Sequence, residues 1–368
     1  MIRPVRYAIA GTGMMGQEHI RNIALLSGAE VAALYEPDPE QLAMAKGLVP
    51  AARTADSFAA LAADPAIDCL LIASPNHLHV GQLEEVLALR NLPVLVEKPL
   101  YTDDRDGARL AAIQERHPAV WVAMEYRYMP PIATLLAKAE EVTGGIKMLT
   151  IREHRFPFLT KVGDWNRFNC NTGGTLVEKC CHFFDLMRLA LGSEPVRVMA
   201  SADQAVNHLD ERIGGQVPDI WDHGYVIVDF ASGARALLEL CMFAEGARFQ
   251  EEISAVGPAG KIEAFVPGPT RFWPDHLGDA PTPQVVLSPR SPKGPKKLEI
   301  PVDPSLLEAG DHNGSTYYQH QRFLEVVRGS AVPEVTLADG AIAVRMGLAA
   351  QASARSGQAV ALSVVRPG

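Results

Sequence analysis

Lys98 stands in Glu97-Lys98-Pro99, directly after the apolar run Val94 to Val96. A lysine held at the end of a buried strand can donate to a substrate hydroxyl and, as a cation, stabilise the alkoxide that forms while a carbinol is oxidised. A second group lies far along the chain, where Gly173-Gly174-Thr175 leads to Glu178, His182 and Asp185 at spacings of four and three residues. On one continuous helix these three share a face, and a carboxylate beside His182 would raise its pKa and orient it as a general base. Thr175-x-x-Glu178 also reads as a capping box, in which Glu178 would only tie off a helix start. No third ligand is spaced to complete Glu178 and His182 as a metal pair, so no metal is expected. Cys180 and Cys181 beside His182 read as small buried hydrophobes, not nucleophiles.

A third set could hold a dinucleotide. Gly11, Gly13 and Gly16 match G-x-G-x-x-G between the apolar run Val5 to Ala10 and a helical pattern through Leu26. Gly11 permits the tight turn, Gly13 lets a pyrophosphate approach backbone, and Gly16 allows close helix packing. Thr12, Met14 and Met15 complete the loop whose N–H groups would meet the phosphates. Glu36 follows Gly16 by 20 residues, at the end of the second strand. A carboxylate there accepts ribose hydroxyls and repels a 2′-phosphate, and no Lys or Arg occurs between Glu36 and Lys46, which predicts NAD over NADP. Ser74, Asn76 and His79 follow the third strand, at the sheet edge where ligands bind, and the Asn76 amide suits a ribose or nicotinamide. Glu97 and Lys98 open onto the same edge, and Arg127 is taken as a further cofactor contact.

The elements that must position these groups fall into two halves. Apolar strands alternate with helices as far as Met124, which predicts an α/β Rossmann domain over residues 1–125. Residues 126–368 read as an α+β domain with a large open, mostly antiparallel sheet. One helix is expected over residues 175–191, closing helices over 315–328 and 337–356, and a last strand over 359–364. Pro130-Pro131 should interrupt the chain at the seam. Residues 267–304 hold 10 of the 27 prolines and read as a loop excursion whose cluster Arg290, Lys293, Lys296 and Lys297 is solvated.

Composition narrows the partners. The 368 residues carry a net charge of −9, the wrong sign for binding a phosphate backbone, and contain no apolar stretch of about 18 residues. Neither nucleic acid nor a membrane is an expected partner. Five cysteines form no disulfide framework, and the apolar run behind Arg3 and Arg6 is too short for an export signal, so a cytoplasmic protein is expected.

Gly11 to Gly16 with His19, Pro75-Asn76-His77-Leu78-His79, Glu97-Lys98-Pro99-Leu100, Arg127-Tyr128 ahead of Pro130, and Gly173-Gly174-Thr175-Leu176 leading to His182 and Asp185 resemble the Gfo/Idh/MocA oxidoreductases over nearly the whole chain. The resemblance implies a nicotinamide cofactor, a sugar, polyol or related carbonyl as substrate, proton handling by Lys98 and His182, and a homodimer or homotetramer formed through the second-domain sheet. Glu178 stands where the family usually has aspartate, Cys180 where it has glycine, and Glu125 where an amide is common. Substrate contacts are expected from Lys98, Glu125, His154, Lys161, Trp165, His182, Asp185 and His312, with Glu178 as a third catalytic group. A glycoside-cleaving enzyme that oxidises its sugar transiently, or a non-catalytic sensor, would use the same fold.

Overall fold

The computed structural model describes residues 3–363. The first domain runs β1 (Val5–Ala10), α1 (Met14–Ala24), β2 (Ala29–Tyr35), α2 (Pro39–Leu48), β3 (Arg53–Thr54), α3 (Phe58–Ala63), β4 (Cys69–Ile72), α4 (His79–Leu89), β5 (Val94–Val96), α5 (Asp104–Arg116) and β6 (Val120–Val122). Its six parallel strands lie in the order β3-β2-β1-β4-β5-β6. Every residue of β4, β5 and β6 is buried, as a sheet covered on both faces requires. The strand order reverses between β1 and β4, so the turns after β1, β2, β4 and β5 open onto one crevice.

Pro130 and Pro131 do not interrupt the chain. They fill the first turn of α6 (Pro130–Thr143), where a missing N–H has no helical partner to lose and the fixed φ is already helical. The chain continues through β7 (Met148–His154), α7 (Asn169–Thr172), α8 (Thr175–Glu178), α9 (Cys181–Leu191), β8 (Pro195–Asp203), β9 (His223–Phe230), β10 (Arg235–Cys241), β11 (Glu251–Val256), β12 (Gly260–Val266), β13 (Gln284–Pro289), β14 (Lys296–Glu299), α10 (Pro304–Ala309), α11 (Ser315–Val327), α12 (Leu337–Ser356) and β15 (Val360–Ala361). The nine-stranded sheet has the order β14-β13-β12-β11-β7-β10-β9-β8-β15 and is antiparallel except where β7 meets β10.

Residues 267–304 are therefore more than a loop excursion: β13 and β14 extend the sheet, and most of the prolines lie outside those strands. Pro289 ends β13, a position that tolerates a missing donor. Lys296 and Lys297 open the edge strand β14. The last strand is shorter than expected, and Val364 lies outside the described residues.

Strict alternation on β9, β10 and β12 buries one face of the large sheet under helices α6 and α12. The opposite face stays open and carries exposed Met199, Tyr225 and Ile227. The closing helices join the domains. From α11, Phe323 packs edge-on against Tyr7 of β1 and Trp121 of β6, while α12 touches both β6 and α8.

Candidate active site

The glycine turn is shaped by what a side chain would strike. Gly11 has φ +89°, and a Cβ there would fall 2.5 Å from the Ala73 carbonyl carbon; a Cβ on Gly16 would fall 2.2 Å from the Gly11 oxygen. Gly13 differs, because a Cβ would meet nothing within 4 Å. Its place is open space at the start of α1, whose first turn has no side-chain cap, so the N–H groups and helix dipole are available to an anion. Glu36 accepts the Thr12 N–H at 2.7 Å through Oε2 and the Asp38 N–H at 3.0 Å through Oε1, which leaves acceptor capacity for ribose hydroxyls. Asn76 is buried, and among the described residues its Nδ2 has no hydrogen-bond partner. The turn, Glu36 and Asn76 thus fit a dinucleotide.

Two of the residues expected to contact the cofactor also do structural work. Each ring nitrogen of His79 lies 2.9 Å from a backbone carbonyl, Pro99 on one side and Ser74 on the other, so the ring ties two site loops together. Glu97 receives His19 Nε2 at 2.9 Å, with His320 behind at 2.8 Å, and accepts the Lys98 N–H at 3.1 Å. Burial opposes its charge, yet His19 and Lys98 hold the Glu97 carboxyl below the usual range.

Lys98, His182, Glu125 and His312 converge from four segments. Burial disfavours the Lys98 ammonium, but Cys181, Glu97, Glu125 and Glu178 raise its pKa, so it stays charged. His182 stacks on Tyr126 with ring centroids 4.0 Å apart and planes within 7°. Burial first, then the charges of Lys98 and Lys179, push the His182 pKa well below 6.5. The sequence predicts a carboxylate-raised histidine; the ring is neutral instead, a base able to accept a proton. Glu125 Oε1 lies 3.7 Å from His182 Nε2 and 3.9 Å from His312 Nε2. Glu18 holds His312 Nδ1 at 2.7 Å and is itself fixed by the Thr316 hydroxyl and the Asp311 N–H.

The expected helix over residues 175–191 divides into α8 and α9 at Lys179-Cys180, and Glu178 and His182 turn to different partners, Lys161 and Glu125. Lys179 is buried at the break, its ammonium 2.6 Å from the Tyr126 hydroxyl and 2.8 Å from Glu153. Glu178 turns to Lys161 at 3.2 Å, and Lys161 lies 4.4 Å over the Trp165 ring. The capping box is absent as well: the Thr175 hydroxyl donates to the Trp221 carbonyl at 2.6 Å. Asp185 takes Arg127 in two bonds of 2.5 Å, which occupies both residues with each other. His154 lies apart. It pairs with Glu239 at 3.0 Å on the sheet face opposite buried Glu153. Burial pushes the Cys181 thiol up to about 12, which leaves it an inert packing group at neutral pH. Glu18, Tyr126, Lys179 and Glu153 carry no local signal in the sequence, because their partners are far along the chain.

The family model of the Gfo/Idh/MocA NAD-binding Rossmann fold matches residues 5–126, and that of the same oxidoreductase family's C-terminal alpha/beta domain matches residues 139–362. The chain is 29% identical over 201 residues to the inositol 2-dehydrogenase of Corynebacterium glutamicum (strain R), a match spanning 54% of this chain and 57% of that enzyme. Against the inositol 2-dehydrogenase of Rhizobium meliloti (strain 1021), identity is 30% over 239 residues, 64% of this chain and 68% of the relative. The fold is shared with myo-inositol dehydrogenase from Lactobacillus casei, solved in complex with NAD(H) and myo-inositol, at a TM-score of 0.74 and 19% identity over 99% of this chain and 98% of that one. With one match spanning the dinucleotide crevice and the other the cluster around His182, the chain belongs to the Gfo/Idh/MocA oxidoreductase family.

Proposed function

We propose that the protein is an NAD-dependent dehydrogenase acting on a CH–OH group of a sugar or cyclic polyol. The observation that carries this reading is the convergence of a charged Lys98 and a neutral His182 beside a crevice suited to a dinucleotide. The inositol 2-dehydrogenase names of the relatives support the substrate class.

The glycine turn with the α1 N-terminus would hold the pyrophosphate, Glu36 the adenosine ribose, and Asn76 the nicotinamide side. When bound, the nicotinamide accepts a hydride from the carbinol carbon. His182 takes the hydroxyl proton, and the Lys98 ammonium stabilises the negative charge that develops on the same oxygen. Trp165, Lys161 and Glu178 contact one another in series, and their ring face and polar groups suit a polyhydroxylated ligand. Glu36 carries the preference for NAD over NADP, since a 2′-phosphate would meet its charge. The open sheet face with Met199, Tyr225 and Ile227 is the surface on which we expect a homodimer or homotetramer to form. Free cysteines without a disulfide among the described residues support a cytoplasmic setting.

The test is an NADH-formation screen over inositols, aldoses, uronates and glycosides, with Lys98→Met as background. Turnover on one polyol or sugar, reduced about 100-fold or more by Lys98→Met while NAD affinity is kept, is the expected result. Absence of turnover across the panel, or a Lys98→Met protein with wild-type kcat, overturns the reading.

A further inference from the structure

Both carboxylate oxygens of Glu125 are buried, and among the described residues neither has a hydrogen-bond partner. A buried acceptor left this way is costly and calls for an explanation. Oε1 faces two imidazole nitrogens at 3.7 and 3.9 Å, each within about 1 Å of hydrogen-bonding distance. Glu178, the family's carboxylate position on this segment, is engaged by Lys161.

We propose that Glu125, in the turn between the domains, is the proton-accepting partner of His182. The assignment rests on the dehydrogenase reading above. In the oxidation direction the substrate O–H bond breaks and its proton joins His182 Nε2. That N–H bond then breaks and the proton joins Glu125 Oε1, from which it passes to water after product leaves. His182 regains its neutral form, and no electron moves in either transfer.

The surroundings fit this role. A proton on His182 is unfavourable because burial and two lysines oppose it, so a nearby acceptor makes the transfer sustainable. Burial and the charge of Glu97 raise the Glu125 carboxyl, while His312 and Lys98 draw it down, to about 7. The charged or titratable groups around it are Glu97 and Lys98 after β5, Cys181 and His182 on α9, His312 before α11, and the adjacent Tyr126. Glu18 keeps His312 charged and so fixes the cation that faces Glu125.

The test uses Glu125→Gln, which keeps the shape but cannot take a proton, alongside Glu178→Gln, Glu125→Asp and His312→Gln. Infrared pH-difference spectra of the protein without cofactor or substrate should show a protonated carboxyl appearing near pH 7 that Glu125→Gln removes and Glu178→Gln retains. Glu251 is a second buried carboxyl raised to about 7, so the signal is read as the difference between wild type and variant. With an active substrate, Glu125→Gln should lower kcat about 100-fold and abolish the break in its pH profile, with NAD affinity within about twofold of wild type. Glu125→Asp should recover part of kcat, and His312→Gln should move the break up by about one pH unit or more. A Glu125→Gln protein with wild-type kcat and pH profile, or a break lost in Glu178→Gln instead, overturns the proposal. If no substrate turns over, the dehydrogenase reading fails by itself. The infrared titration then still decides, because a Glu125 that stays protonated well above pH 7 has no free carboxylate to take the proton from His182.

Discussion

The carboxylate of Glu36 accepts the backbone N–H of Thr12 at 2.7 Å, tying the end of β2 to the glycine turn that follows β1. The residue that would choose the cofactor also holds the phosphate loop in shape. Glu36→Ser removes charge-assisted bonds worth about 1.5–3 kcal/mol, so NAD should bind on the order of 10- to 100-fold more weakly. NADP should bind no worse than before, because the repulsion is gone. Fluorescence titration with both reduced cofactors measures the gap, and an unchanged ratio of the two affinities contradicts the role.

Gly11 and Gly13 stand two residues apart in the turn, and alanine separates their roles. Gly13→Ala meets nothing within 4 Å and should leave thermal unfolding near wild type while weakening NAD binding. Gly11→Ala must adopt φ +89° and push into the Ala73 carbonyl, and should cost at least about 2 kcal/mol in urea unfolding. Equal stabilities for the two variants would count against this account of the turn.

Buried Asp185 and the largely covered Arg127 form a bidentate pair that fastens the interdomain turn to α9. Removing one partner strands the other, so Asp185→Ala should lose about 3–5 kcal/mol, and an added Arg127→Met should recover part of the loss. Denaturant unfolding of the single and double variants decides it. A Asp185→Ala protein that keeps its stability but loses substrate affinity would restore Asp185 as a substrate contact.

The Glu18 and His312 pair makes stability depend on pH in a stated direction. Burial works against the charged ring, but Glu18 holds His312 up to about 9; burial likewise opposes Glu18, yet His312, Asp311 and Thr316 bring it to about 2. A histidine raised on folding stabilises fully below its unfolded pKa of about 6.5 and loses that contribution as pH rises to about 9. The carboxylate contribution is present above about 4.5 and is lost as pH falls toward 2. Between pH 6.5 and 9 the wild type should therefore lose on the order of 2 kcal/mol more than Glu18→Gln. Urea unfolding at both ends of that window measures it, and parallel losses in the two proteins would remove the pair from the account.

The parts of the protein whose signals are local can be read along the chain. A glycine turn between strand and helix, a carboxylate closing β2 and Glu97-Lys98-Pro99 after β5 are short-range patterns, and the parallel sheet that gathers them follows from alternating apolar strands and helices. Which charge meets which is set by packing in three dimensions. Glu178 and His182 sit four residues apart and were expected to face each other, but buried Lys179 stands at a break in the helix, and Glu178 finds Lys161 17 residues away. Asp185 reaches Arg127 across 58 residues, and His312 reaches Glu18 across 294. A buried charge must find its counter-charge wherever packing brings one, and no spacing along the chain records that choice.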